Sequence, residues 1–371
     1  MSDRAEHLRD FLVRAGWGDA KLTALAGDAS TRRYLRAERK GSMAMVMDQP
    51  QAAESPAAPA DANPAQRQRL GYNAVARLAG ADCGRFVSVA EYLRRCGISA
   101  PEIYAWDAKD GFVLSEDLGD SLYADMIASG HDAMELYRTA VDILVRLHQK
   151  PAPIFLPGDI VLFPYDELAQ LAEINLFAEW YLPLVLGRKA NELERTEHRV
   201  LWTQVLNQVR GSDPVFVHRD YHAQNLMWLA QRKGIARTGV IDFQDAVSGS
   251  PAYDLVSLLE DARRDVPLEL AEAMRKHYLK QRSGCDRFDV DAFESEMAIM
   301  AGQRNAKIIG IFSRLYLRDG KPRYLAMIPR VWRYLEQDLR HPALAQLKTW
   351  YDAHIPSELR HAAPPQTGAR P

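Results

Sequence analysis

Apolar residues recur along this chain with two different periods, and the change of period divides it. Over residues 3–15 the spacing is helical, with Leu8, Phe11, Leu12 and Ala15 on one face, Asp3 as cap and Glu6 at the capping-box position. Gly16 and Gly18 end that helix. The next stretch, KLTALAGDASTRRYLRAERKGSMAMVMDQP, predicts three strands joined by a Gly-Asp-Ala-Ser turn and an Arg-Lys-Gly turn. Helical spacing returns over 67–78 and 85–95, the latter with Phe86, Val89, Ala90 and Leu93 on one face. Two short strand-like runs follow at 103–106 and 111–114. Helices then dominate: 131–149, capped by Asp132 with Glu135 closing the box, 166–182, one beginning at Ser250, and a long one over about 291–318.

The run VFVHRDYHAQNLMWLAQRKGIARTGVID at 215–242 breaks this helical regime. Val215-Phe-Val is a short strand ending at His218-Arg219-Asp220. A second apolar run begins directly after Asn225, and the polar segment around Gly234 can reverse the chain. A third run, Gly239-Val-Ile, then brings Asp242 back towards Asn225. A carboxylate, an amide five residues on and a second carboxylate across a hairpin suit phosphoryl transfer, which needs oxygen ligands for Mg²⁺ and a group to orient a hydroxyl nucleophile. The plainer reading makes His218 and Asp220 turn-stabilising groups and Asp242 an ordinary strand-end carboxylate.

Composition narrows the field. A chain of 371 residues with 47% apolar content can build one large two-lobed domain or two small ones. A formal net charge of −2 gives no excess of positive charge for a polyanion, so nucleic acid is not an expected partner. Cys83, Cys96 and Cys285 are odd in number and follow no metal spacing, which fits a reducing compartment. The first residues lack an apolar signal core, and the longest apolar run, 180–186, is too short to span a bilayer and contains Pro183. The expectation is a soluble cytoplasmic protein without a membrane segment. The Ala/Pro-rich stretch 50–66 reads as a mobile loop or insertion, and 361–371 as a disordered tail.

The spacing H-R-D-x-x-x-x-N followed by I-D-F resembles the catalytic and metal loops of the protein-kinase-like superfamily, especially its aminoglycoside and choline phosphotransferase branch. The resemblance implies a bilobal α+β fold: an N-lobe with a small antiparallel sheet (1–116), a hinge (117–120) and a larger, mainly helical C-lobe (121–360). It implies ATP and Mg²⁺ as cofactors, Asp220 as catalytic base, Asn225 and Asp242 as metal ligands, and His218 and Asp254 as structural support. Backbone N–H groups at Gly27 and Ser30 would cover the phosphates, and the backbone from Glu116 to Leu118 would read the adenine edge. One position departs from the pattern. Where the third strand normally carries a lysine that pairs with phosphates, this chain has Met47 followed by Asp48. Arg32 or Arg33 is expected to supply that charge, because side chains alternate across the sheet and one of the two faces the nucleotide. Glu91, left without a lysine, is expected at the surface.

The wider set GDASTRRY, MDQP, NLFAEWYLP, HRDYHAQNLMWL, IDFQDA and RNAKIIGIFSRLYLRDGKPRYL with IPRVWRYLE resembles bacterial anomeric sugar kinases of cell-wall recycling, which phosphorylate N-acetylmuramate and N-acetylglucosamine at C1. It implies a small-molecule sugar as substrate. His222, Gln224 and Asp245 are candidates for sugar contacts or for loop support. Trp180 can stack on a sugar or pack into the core. Arg304, with Lys307 and Arg314, can bind an anionic substrate group or extend to solvent. Two other readings stay open. One is a kinase for another small alcohol, such as an aminoglycoside or choline. The other is a non-catalytic nucleotide-binding scaffold, suggested by the missing lysine and opposed by the joint presence of Asp220, Asn225 and Asp242.

Overall fold

A computed structural model of the chain describes residues 2–25, 32–50, 55–209, 213–284 and 288–364. Gly27, Ser30, Cys285 and residues 365–371 lie outside the described residues. The chain folds as two compact units. The first comprises Met1–Leu147, Pro153–Phe163 and His218–Val247, and the second His148–Ala152, Pro164–Val217 and Ser248–Pro371.

In the first unit, helix α1 (Ser2–Arg14) precedes five strands: β1 (Lys21–Ala24), β2 (Arg33–Arg39), β3 (Ser42–Asp48), β4 (Ile103–Asp107) and β5 (Phe112–Glu116). They form one antiparallel sheet in the order β1-β2-β3-β5-β4. The stripe expected on α1 meets this sheet, with Phe11 and Leu12 packed on Ala37, Ala44, Val46, Phe112 and Leu114, and Leu8 and Ala15 beside them. Burying Phe11 and Leu12 contributes roughly 1.5–3 kcal/mol each. Helix Cys83–Arg95 buries Phe86, Val89, Ala90 and Leu93, its N-terminus capped by the Asp82 carboxylate, which accepts the Gly84 N–H at 2.9 Å. Glu91 is about half exposed and pairs with Arg95 one turn on.

Two expectations need correction here. Within the stretch 50–66 expected as a mobile loop or insertion, the described residues 55–66 are anchored: Asn73 donates from Nδ2 to the Ser55 carbonyl at 2.8 Å, Ala58 is buried, and Asn63 and Gln66 form a capping box that opens helix Pro64–Leu70. Small side chains allow this close backbone packing, as at Gly80, where an added Cβ would lie 3.0 Å from the Ser55 carbonyl oxygen. The helix expected over 67–78 is split, because Gly71 at φ +103° separates Pro64–Leu70 from the single turn Tyr72–Val75.

The second unit is mainly helical, and its longest element is helix Val290–Leu317. The helix expected over 166–182 runs from Glu167 to Leu176 and then widens into a π turn, Phe177–Tyr181, before Leu182–Leu186. Pro183 explains the widening, since it lacks an N–H and its ring would clash with the carbonyl four residues back in a regular helix. Gly310 on the long helix fits against this turn. A Cβ there would lie 2.5 Å from the Leu176 carbonyl carbon and 2.6 Å from the Phe177 nitrogen. Around it, Phe177, Tyr181, Trp332 and Tyr351 pack with ring centroids 4.9–5.8 Å apart. Burial holds the His198 imidazole, stacked on Phe177, neutral by pushing its pKa down to about 3. Among the described residues no helix is long and apolar enough to cross a membrane.

The Gly310 contact gives a stability prediction. Gly310→Ala forces two backbones apart and should destabilise by at least 1–3 kcal/mol, as overpacking does on that order. Gly284→Ala meets nothing within 4 Å and should stay within about 0.5 kcal/mol. Urea unfolding midpoints measure both, and equal midpoints would refute the packing described here.

Candidate active site

Strands Leu226–Trp228 and Thr238–Val240 pair antiparallel, with Leu226 opposite Val240. The Ile241 N–H donates to the Asn225 carbonyl at 3.1 Å and extends the pairing by one rung. The hairpin is held from both sides within the first unit, by Val240 N–H to the Ser99 carbonyl (2.7 Å) and Trp228 N–H to the Ser121 carbonyl (2.7 Å). The preceding loop is tied down by the Tyr221 hydroxyl, which donates to the Ala140 carbonyl at 2.9 Å.

Two non-glycine residues of this region adopt left-handed backbone conformations, Arg219 at φ +78° and Asp242 at φ +61°. Each costs of order 1–3 kcal/mol, which the surroundings must offset. Arg219 does so by donating to the backbone carbonyls of Arg77 (3.3 Å) and Asp245 (3.4 Å). Arg85 donates to the carbonyls of Val161 and Ala246, while Phe86 stacks on Phe243 at 4.9 Å. The loop that carries Asp242 is thus clamped by buried groups.

His218 links the two loops. Its Nε2 lies 3.0 Å from the Ile241 carbonyl, which can only accept, so Nε2 carries the proton and Nδ1 accepts the Asp220 N–H at 3.2 Å. Asn225 Nδ2 donates to the Asp220 carbonyl at 2.9 Å and lies 3.5 Å from Asp242 Oδ2. Asp242 Oδ1 accepts from Gln244 Nε2 at 3.0 Å and stands 3.4 Å from Arg32 Nη1. Burial pushes the Asp242 carboxyl above its usual range; the Arg32 charge opposes this, and Asp220 and Asp245 add to it. Tyr34, next to Arg32, has its phenol pushed up to about 12 by burial. The structure therefore gathers Asp220, Asn225, Asp242, His218 and Arg32. The carboxylate oxygens and the Asn225 amide oxygen are hard donors, and the crowded negative charge suits Mg²⁺.

Arg33 goes elsewhere. Its Nη2 lies 2.5 Å from Asp48, which Arg4 also engages through Nε at 2.8 Å. Met47 is buried, with the Tyr34 hydroxyl 3.7 Å from its sulfur. At the end of β5, Glu116 pairs with Arg232 and its N–H donates to the Glu102 carbonyl at 2.7 Å. Leu118 crowds Gly239, where an added Cβ would lie 3.0 Å from Leu118 Cδ1. His222 is buried and Gln224 exposed, while the Asp245 carboxylate accepts the Ala79 N–H at 2.6 Å and so serves the loop. In the second unit Trp180 is half-buried on the π turn, and Asp254 is buried in helix Ala252–Leu259. Arg304 and Lys307 do not extend to solvent: Arg304 donates to the Glu260 carbonyl at 3.1 Å, and Lys307 pairs with Glu173 at 2.9 Å. Sequence reasoning missed Gln244 and Tyr34 as neighbours of the site, because their proximity follows from the hairpin and sheet register.

The family model of the phosphotransferase enzyme family matches residues 21–289. The chain belongs to that family. It is 42% identical to the N-acetylmuramate/N-acetylglucosamine kinase of Caulobacter vibrioides over 97% of this chain and 99% of the relative. It is 34% identical to the Pseudomonas aeruginosa protein of the same name over 92% and 91%. The fold is similar to that of ADP-bound aminoglycoside phosphotransferase APH(2'')-Ib, with a TM-score of 0.52 and 16% identity over 90% of this chain and 96% of that one.

The second unit of this phosphotransferase also holds an acid pair, Asp338 buried and Glu260 partly so. Asn305 Nδ2 donates to Glu260 Oε2 at 2.6 Å and to Asp338 Oδ2 at 2.9 Å. Burial pushes Glu260 up to about 7 and Asp338 well above the usual carboxylate range, Asp338 being raised further by the charge of Glu260. The native pair thus binds protons more tightly than the unfolded chain does, and stability falls as pH rises from the ordinary carboxylate range through about 7. Asp338→Asn keeps a neutral donor at this position and should flatten that decline between pH 5 and 8 in calorimetric melting. Parallel curves for wild type and variant would contradict the pairing.

Proposed function

We propose that this phosphotransferase is an ATP-dependent sugar kinase that phosphorylates the anomeric C1 hydroxyl of N-acetylmuramate and N-acetylglucosamine, acting in the cytoplasm in peptidoglycan recycling. The observation that carries the chemistry is the joint placement of Asp220, Asn225 and Asp242 around one hairpin. The amino-sugar acceptor rests on full-length similarity to relatives named for those two sugars.

In this reading Asp220 accepts a hydrogen bond from the C1 hydroxyl and takes its proton as the oxygen attacks the γ-phosphorus in line; a positioned base contributes roughly 10²–10⁴-fold. The ring oxygen makes that hydroxyl more acidic than other sugar hydroxyls, so a carboxylate suffices. His218 orients Asp220 through the Asp220 N–H. Asn225 and Asp242 would hold Mg²⁺, which when bound neutralises phosphate charge. The backbone from Glu116 to Leu118 would meet adenine, and Gly27 and Ser30 would offer N–H groups to phosphates. His222 and Gln224 are the acceptor-contact candidates of the first unit. Arg304, held on the Glu260 carbonyl, is better explained as structural.

ADP release with Mg-ATP and N-acetylmuramate, N-acetylglucosamine or an aminoglycoside tests this directly. The expected result is turnover with the amino sugars, a sugar 1-phosphate by ³¹P NMR, and a loss of roughly 10²–10⁴ in kcat for Asp220→Asn. Turnover confined to the aminoglycoside would contradict the acceptor, and a fully active Asp220→Asn would contradict the base.

A further inference from the structure

Deepening the proposed kinase reading, on which this inference rests, we propose that Arg32 is an exchangeable counter-ion: it neutralises Asp242 in the nucleotide-free protein and passes to the nucleotide phosphates when a divalent metal arrives, doing the work of the absent third-strand lysine. Three observations converge on this residue. Its side chain is only 8% exposed, although it lies at the entry to β2. Its Nη1 stands 3.4 Å from Asp242 Oδ1, longer than the roughly 2.7–2.9 Å of a firm charge-assisted bond. The arginines of β2 itself pair with other carboxylates, Arg33 with Asp48 (2.5 Å), Arg36 with Asp117 (2.6 Å) and Arg39 with Asp19 (2.6 Å).

Electrostatics supplies the exchange. Asp242 shares its surroundings with Asp220 and Asp245, so without a metal a nearby guanidinium lowers the repulsion among three carboxylates. A divalent cation on Asp242 replaces that role and repels Arg32. The freed guanidinium presents a planar fork of N–H donors that matches phosphate oxygens. Metal alone therefore takes Asp242 from Arg32, whereas metal with nucleotide supplies phosphate oxygens in its place. It follows that metal and nucleotide bind cooperatively, and that Arg32 carries the coupling.

Mn²⁺ serves as the probe, with free Mn²⁺ followed by electron paramagnetic resonance with and without ADP, and ADP binding followed by calorimetry. Arg32→Met should bind Mn²⁺ alone about five- to tenfold more tightly than wild type and bind ADP at saturating Mn²⁺ about tenfold more weakly, within the usual range of coupling between sites. Arg32→Lys, which keeps a charge, should stay within a few-fold of wild type in both. Unchanged Mn²⁺ affinity in Arg32→Met, or unchanged ADP affinity, would overturn the exchange. These are binding measurements and need no acceptor. A protein that shows the coupling yet phosphorylates neither amino sugar sinks the proposed substrate alone, and sugar turnover without the coupling sinks the role of Arg32 alone.

Discussion

Carboxylates held close together repel, and much of the first unit serves to keep Asp220 and Asp242 in place against that repulsion. The backbone around them is fixed by donors that cannot drift: Ile241 N–H on the Asn225 carbonyl, His218 between the Ile241 carbonyl and the Asp220 N–H, and Arg219 on the Arg77 and Asp245 carbonyls. Hydrogen bonds to charged groups contribute about 1.5–3 kcal/mol each, enough to offset a left-handed backbone at Arg219 or Asp242. The cost of crowding charge becomes useful once a cation can relieve it, because a site strained by its own carboxylates favours whatever neutralises them.

The third strand carries Met47 and Asp48 where the resemblance led one to expect a lysine. Met47 is buried between strands and contributes packing, while the next residue, Asp48, collects Arg4 and Arg33 at the end of β3. Arg32, immediately ahead of β2, stands with its Nη1 3.4 Å from Asp242 Oδ1. In the second unit the cations are instead consumed internally, Lys307 by Glu173 and Arg304 by a backbone carbonyl. A buried ion pair of this kind is costly to break, since losing one partner leaves an uncompensated charge.

Periodic features were legible in the chain. The stripe Leu8, Phe11, Leu12 and Ala15, the alternation through β2 and β3, and the hairpin joining Asn225 to Asp242 all follow from local spacing and appear as expected. What depended on register or on distant partners did not. Alternation says that Arg32 and Arg33 face opposite ways but not which one meets Asp242. Nothing local to Lys307 announces Glu173, and the acid pair Glu260 and Asp338 forms only when two separate elements meet at Asn305. The π turn at Phe177–Tyr181 combines a proline effect readable nearby with the close approach of Gly310, which is not. Composition misled at 55–66, where side chain to backbone hydrogen bonds at Ser55 and Asn63 and the burial of Ala58 anchor the segment.

The central claim is that the attacking atom is the anomeric oxygen, positioned by Asp220. Its most direct test is transfer to N-acetylglucosamine labelled with ¹⁸O at the C1 hydroxyl, read by the isotope shift in ³¹P NMR. Retention of ¹⁸O in the bridge between C1 and phosphorus is the predicted result. A product whose bridging oxygen carries no label, or phosphate on another hydroxyl, would contradict it.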